Sequence, residues 1–120
     1  MRFILLFLLF LSFVYAKTPY EMGKELYLQK ACFSCHGNKA EGMHNYPHLA
    51  NRAKGYLTYK LERFRKNISN SQQQEMMVAF ALGLSDEDIE ALVTFLSEYK
   101  DDEMSESYDY SFDTAGDGGS

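Results

Sequence analysis

The sequence predicts an all-α fold: one small helical domain, preceded by an apolar leader and followed by an acidic tail. Three observations lead there. Apolar residues recur three and four positions apart in four separate segments, and no segment shows the two-residue alternation of a half-buried strand. Helix start and stop residues bracket those segments, most clearly Ser85 with Asp88. The chain has 120 residues, enough for one domain of ordinary size and not for two.

Taken in order, residues 1–16 read as a secretory signal peptide. Arg2 gives the positive start, Phe3 to Leu11 an unbroken apolar run, and Val14-Tyr15-Ala16 a cleavage site with small residues at its −3 and −1 positions. A retained membrane anchor needs about 20 apolar residues, more than this run supplies. Tyr20 to Ala31 reads as the first helix. Pro19 suits its first turn, where its missing N–H goes unpaired anyway, and Gly23, Leu26, Tyr27 and Lys30 share one face. Residues 32–53 read as a loop, rich in Gly, Asn, Pro and His. Tyr56 to Lys66 is a second helix, with Leu57, Leu61, Phe64 and then Ile68 on its stripe. Asn67 to Gln74 is polar and expected to be a loop, and Met76 to Leu82 a short apolar helix with Gly83 as its C-cap. The last helix opens on a capping box, Ser85 with Asp88, and buries Ile89, Leu92, Val93, Phe95 and Leu96. The domain is therefore expected over residues 17–100. Residues 101–120 carry seven acids and no base, and read as disordered. The overall charge of −5 belongs to that tail. Nothing in the charge pattern suits a nucleic-acid partner.

The chemistry sits at Cys32-Phe33-Ser34-Cys35-His36, the C-x-x-C-H pattern of covalent haem attachment. Two cysteines three apart can reach two vinyl groups on one porphyrin edge, and the next residue then lies under the ring with an imidazole for the iron. Three other uses of these residues compete. A redox disulfide usually follows a strand and opens a helix, whereas this pair follows a helix. A zinc site needs a fourth ligand, for which only His44 or His48 remains. A plain structural disulfide has no need of His36. An export signal agrees with haem attachment outside the cytosol, so one covalent haem c held by Cys32 and Cys35, with His36 on the iron, is the expected cofactor.

An iron that only passes electrons needs a sixth ligand. Met1 leaves with the signal, Met22 and Met43 lie close to the attachment site in sequence, and Met104 is in the tail. Met76 and Met77 remain, and spacing alone does not choose between them. Methionine is more often a core filler than a ligand, so at least one of the two is expected to be just that.

The sequence resembles the class I cytochromes c, in particular the small bacterial monohaem type, over roughly residues 20–99. Gly23-Lys24-Glu25-Leu26-Tyr27 is similar to the family's first helix, Cys35-His36-Gly37 continues the attachment motif, and Pro47-His48-Leu49-Ala50 resembles its P-x-L-A loop. Leu84-Ser85-Asp86-Glu87-Asp88-Ile89 through Phe95-Leu96 is similar to its closing helix. The resemblance implies four to five short helices around one haem, with the N- and C-terminal helices crossing at Gly23 and Tyr27 against Leu92 and Phe95. It implies Met77, seven residues before Leu84, as the second axial ligand, with Met76 the alternative. It also implies that the Pro47 carbonyl fixes the His36 ring. Asn51-Arg52 departs from the Gly-Gln that often follows the P-x-L-A loop, and the acidic tail has no counterpart in the pattern.

The expected function is that of a monomeric periplasmic electron carrier and not an enzyme. It would exchange single electrons with redox proteins such as a quinol-oxidising complex, a terminal oxidase or a periplasmic dehydrogenase, docking transiently at membrane complexes. Two alternatives stand beside it: the cytochrome subunit of a dehydrogenase resembling flavocytochrome c sulfide dehydrogenase, and a haem enzyme or gas sensor with an open iron site. The basic stretch Lys54, Lys60, Arg63, Arg65, Lys66 is expected to be a solvated helix face or, alternatively, a docking patch for an acidic partner or local compensation for haem propionates.

Overall fold

The structure, a computed structural model, describes residues 3–5 and 16–101. Most of the expected leader, with Val14 and Tyr15 of its cleavage site, and nearly all of the acidic tail lie outside the described residues. From residue 19 onwards five helices follow: α1 (Pro19–Gln29), α2 (Phe33–His36), α3 (Lys54–Arg65), α4 (Gln72–Ala81) and α5 (Asp86–Ser97). Among the described residues there is no strand, only one isolated bridge between Met43 and Tyr46. No described helix is long and apolar enough to cross a membrane. The fold is all-α, as the sequence predicts.

Each helix start has a local cause. Thr18 caps α1: its hydroxyl accepts from Glu21 N at 3.2 Å, and the Glu21 carboxylate accepts from Thr18 N at 3.3 Å. Ser85 and Asp88 do the same for α5, both bonds at 3.0 Å. Ser71 caps α4 through Gln74 N at 3.2 Å, so that helix begins at Gln72 and absorbs part of the expected 67–74 loop. α3 begins at Lys54, two residues before the expected start, with no side-chain cap from Ala53. Two other expectations are corrected. Gly83 is not a left-handed cap: α4 ends at a right-handed Leu82, and the turn closes by Leu84 N to Ala81 O at 3.1 Å. Ile68 does not join the buried stripe of α3. It lies past the C-cap Lys66 and is 40% exposed.

The core is centred on the crossing of α1 and α5. Gly23 makes the crossing possible, because a Cβ there would lie 2.0 Å from the Ala91 carbonyl oxygen and 2.7 Å from the Phe95 Cβ. Phe95 is fully buried and gathers three tyrosines, its ring centre 5.3 Å from Tyr20, 5.5 Å from Tyr27 and 5.8 Å from Tyr99. α3 packs against α5 and α4. Its far end is tied to the start of α5 by Arg65, which donates to the Leu84 carbonyl at 3.2 Å and pairs with Asp86 at 2.7 Å. The loop before α3 is tied to the end of α5 by Asn51 N, which donates to the Leu96 carbonyl at 2.7 Å. These ties hold α3 and α4 opposite the Cys32–His36 segment, with a cleft between.

Candidate haem site

The chain turns sharply after α1. Ala31 takes a positive φ of 56°, and Cys32 then caps the one-turn α2. Residues at i, i+3 and i+4 share a helical face. Cys32, Cys35 and His36 have that spacing, and His36 N donates to the Cys32 carbonyl at 2.9 Å. The expected loop over residues 32–53 therefore opens with a helical turn. That turn is anchored at both ends: Cys32 N donates to the Tyr27 carbonyl at 3.0 Å, and the Tyr27 hydroxyl donates to the Gly37 carbonyl at 2.6 Å. Gly37 has φ 90°, a conformation that strains any residue with a Cβ, so glycine is favoured after His36.

His36 is the one buried polar side chain of the described core. Its Nδ1 lies 2.9 Å from the Pro47 carbonyl oxygen. A carbonyl only accepts, so Nδ1 carries the proton and the lone pair of Nε2 is left free. Burial pushes the imidazole below its ordinary value, and the Pro47 bond offsets this in part. Tyr46 stands edge-on to the ring at 6.3 Å between centres. Burial also pushes the Cys32 thiol up to about 11, so it is a neutral thiol at physiological pH. Cys32 and Cys35 form no disulfide. The segment thus offers two S–H groups and one neutral imidazole nitrogen.

All three residues line one cleft of about 360 Å³, within the roughly 300–1,000 Å³ usual for cofactor sites. The rest of its wall is mostly apolar, with Leu49, Leu57, Leu61, Phe64 and Leu96, and α4 adds Met76, Met77 and Phe80. The two methionines differ in setting. Met77 is half-buried and packed against the core, whereas Met76 is 50% exposed. Neither His44 nor His48 lines the cleft; both are exposed, and His48 Nε2 bonds the Ala50 carbonyl at 2.7 Å. No group of three or more His, Cys, Asp or Glu placed to hold a metal ion occurs among the described residues. Tyr46, Arg52, Tyr56 and Phe80 also line the cleft and were not legible as site residues, because single aromatic or basic residues in a loop or on a helix carry no spacing signal.

The residues fit a haem. A flat apolar macrocycle needs an apolar slot, two thiols on one edge and nitrogen and sulfur donors on its walls. This cleft has all of these, in a domain whose own core is small. An all-α domain with a C-x-x-C-H turn opening on such a slot defines a class I c-type cytochrome. The chain belongs to the cytochrome c family, whose profile matches residues 20–100. Among curated proteins it is similar to cytochrome c-554(548) of Halomonas halodenitrificans, with 31% identity over 67 residues, covering 55% of this chain and 81% of that protein. Members of the family bind covalently attached haem c, carry electrons and act with redox-protein partners.

Proposed function

We propose that this chain is a periplasmic monohaem c-type cytochrome that passes single electrons between redox proteins. The observation that carries the reading is the joint lining of one apolar cleft by Cys32, Cys35 and His36 on one side and Met77 on the other. Cys32 and Cys35 would hold the haem through thioethers, each S–H adding across one vinyl group. His36 Nε2 and the Met77 sulfur would be the axial ligands. Bound haem supplies a one-electron ferric/ferrous couple, and a thioether ligand raises its potential relative to a second histidine. The chain's own residues do the rest. The Pro47 carbonyl holds the imidazole in one tautomer and one orientation. The apolar wall excludes water, which limits reorganisation as the charge changes. With both axial positions filled, no site is open to a substrate. Export to the periplasm rests on the leader at residues 1–16 and agrees with the compartment in which such thioethers are made.

The test is an optical spectrum of the exported protein, expressed with a haem-attachment system. A haem that stays on the polypeptide under denaturing conditions, and a reduced form that does not bind carbon monoxide at neutral pH, are expected. Ready binding of carbon monoxide would mean an open iron and sink the carrier reading in favour of an enzyme or sensor. Stable co-purification with a flavoprotein would make the chain a dehydrogenase subunit instead of a free carrier.

A further inference from the structure

The outer side of α3 presents a strip that no other described element covers. Tyr56 and Tyr59 are 45% and 54% exposed. Cations lie over both rings: Arg52 at 5.5 Å and Lys60 at 5.9 Å from the Tyr56 ring centre, and Arg63 at 5.4 Å from that of Tyr59. Elsewhere on this helix Lys54 pairs with Glu90 and Arg65 with Asp86. Arg52, Lys60 and Arg63 pair with no carboxylate among the described residues, and Glu62 is the lone acid in α3. Three cations held over tyrosine rings, with no protein carboxylate among the described residues against them, make a positive strip. Arg52, Tyr56 and Lys60 also line the cleft, so the strip borders its mouth.

We propose that this strip is the docking surface for the chain's own acidic segment, residues 102–120. That segment carries Asp102, Glu103, Glu106, Asp109, Asp113 and Asp117 with no base, and interleaves Tyr108, Tyr110 and Phe112 among them. Its acids complement the three cations, and its aromatics complement a surface already built of cation–ring contacts. It leaves the fold at Asp101, beyond Lys100, whose N donates to the Tyr20 hydroxyl at 3.1 Å, and its length must carry it from there to the strip. The Leu96 carbonyl accepts from Asn51 N at 2.7 Å, and Asn51 precedes Arg52. Asp101, five residues past Leu96, pairs with Lys39 at 3.3 Å on the surface. Along α3 from Lys54 to Arg63 the strip is about 14 Å long at about 1.5 Å per residue, and Arg52 extends it at one end. Nineteen extended residues reach on the order of 60 Å, ample to cover it. Seated there, the segment competes with any anionic surface for the mouth of the cleft. The contact is one of exposed charges, so it weakens as the screening length falls from about 30 Å at 0.01 M salt to about 3 Å at 1 M.

The test uses the full chain with its haem and a zero-length carbodiimide, which joins a carboxylate to a lysine only where the two touch. At 0.01 M ionic strength, peptides from residues 102–120 should be joined to Lys60 within one chain, and the yield should fall about tenfold in 1 M salt. The double variant Arg52→Gln, Arg63→Gln retains Lys60 and should lose most of that yield. In amide NMR spectra, a full-length variant with D102N, E103Q, E106Q, D109N, D113N and D117N should shift signals of residues 52–63 and leave α1 unmoved. Products only between chains would assign the strip to a second copy. Equal coupling to Lys24, Lys30 and Lys60 would mean no defined seat. Either result overturns the proposal. None of these readouts uses electron transfer, so they stand or fall apart from the carrier function.

Discussion

The α1/α5 crossing and the α3/α4 wall of the cleft are built differently. At the crossing the chain fills its own space. Gly23 lets two backbones touch, Phe95 and Val93 are fully buried, and three tyrosine rings close around Phe95. Across the molecule α4 packs on α3 and otherwise faces the cleft, with Met76, Phe80 and Leu82 exposed by 50%, 46% and 57%. Val78 and Ala81 of α4 are buried in the core, but Met76 and Phe80 have too few protein partners to account for their presence. One region is specified by the chain alone, while the other is shaped for a group that the chain must acquire. Stability and function are divided along the same line.

Substitutions at the crossing should therefore cost stability with or without haem, and those on the cleft side of α4 should cost stability through the cleft. The largest effect is expected for Gly23→Ala. The added Cβ would meet backbone at 2.0 Å, and no side chain can move to relieve it. A loss of about 3 kcal/mol or more in denaturant unfolding is expected, at the upper end of overpacking costs. A loss under about 1 kcal/mol would mean that the helices slide apart easily and that the crossing is not the rigid region. Met77→Ala comes next. It should cost about 2 kcal/mol in the haem-loaded protein, the low end for methionine truncation because the residue is only half-buried. It should also abolish the methionine-to-iron absorption band and admit carbon monoxide. Amide exchange should quicken in α4 and remain slow in α5. Equal quickening in both helices would erase the division between the regions. Tyr27→Phe should cost about 1 kcal/mol, the net worth of its hydroxyl bond to the Gly37 carbonyl, and leave ligation unchanged.

The same division governs what the sequence alone revealed. The two helices of the crossing were legible because their signals are local or periodic: the Ser85–Asp88 capping box, the apolar stripe of α5, and Gly23 on a helical face with Tyr27; that they cross followed from the family resemblance. The attachment segment was legible because covalent chemistry demands fixed spacing. The cleft wall was less so. α4 starts with Gln72-Gln73-Gln74, whose polarity suits a loop, and the cue that makes it helical is one hydroxyl on Ser71. The one-turn α2 has no length over which periodicity could show, and it depends on left-handed Ala31 and on tertiary anchors from Tyr27. Gly83 illustrates the reverse error: a glycine after a helix invites a left-handed cap, but the turn closed without one. Choosing Met77 over Met76 required family resemblance, since adjacent residues have identical chemistry. The structure adds an independent physical difference between them, burial.

That difference sets the smallest and most discriminating prediction. Met76 and Met77 lie on successive positions of α4, about 100° apart around the helix axis at 3.6 residues per turn, so one sulfur cannot replace the other without rotating the helix. Rotation would lift Val78 and Ala81 out of the core, where they are 7% and 0% exposed. Met76→Ala should therefore change stability by no more than about 0.5 kcal/mol, the range of ordinary surface substitutions. The methionine-to-iron band should be unaltered. If Met76→Ala removes that band while Met77→Ala spares it, the iron takes its sulfur from the exposed rim. The buried face of α4 would then be core, and the cleft would have to close around its cofactor by moving α4 on α3.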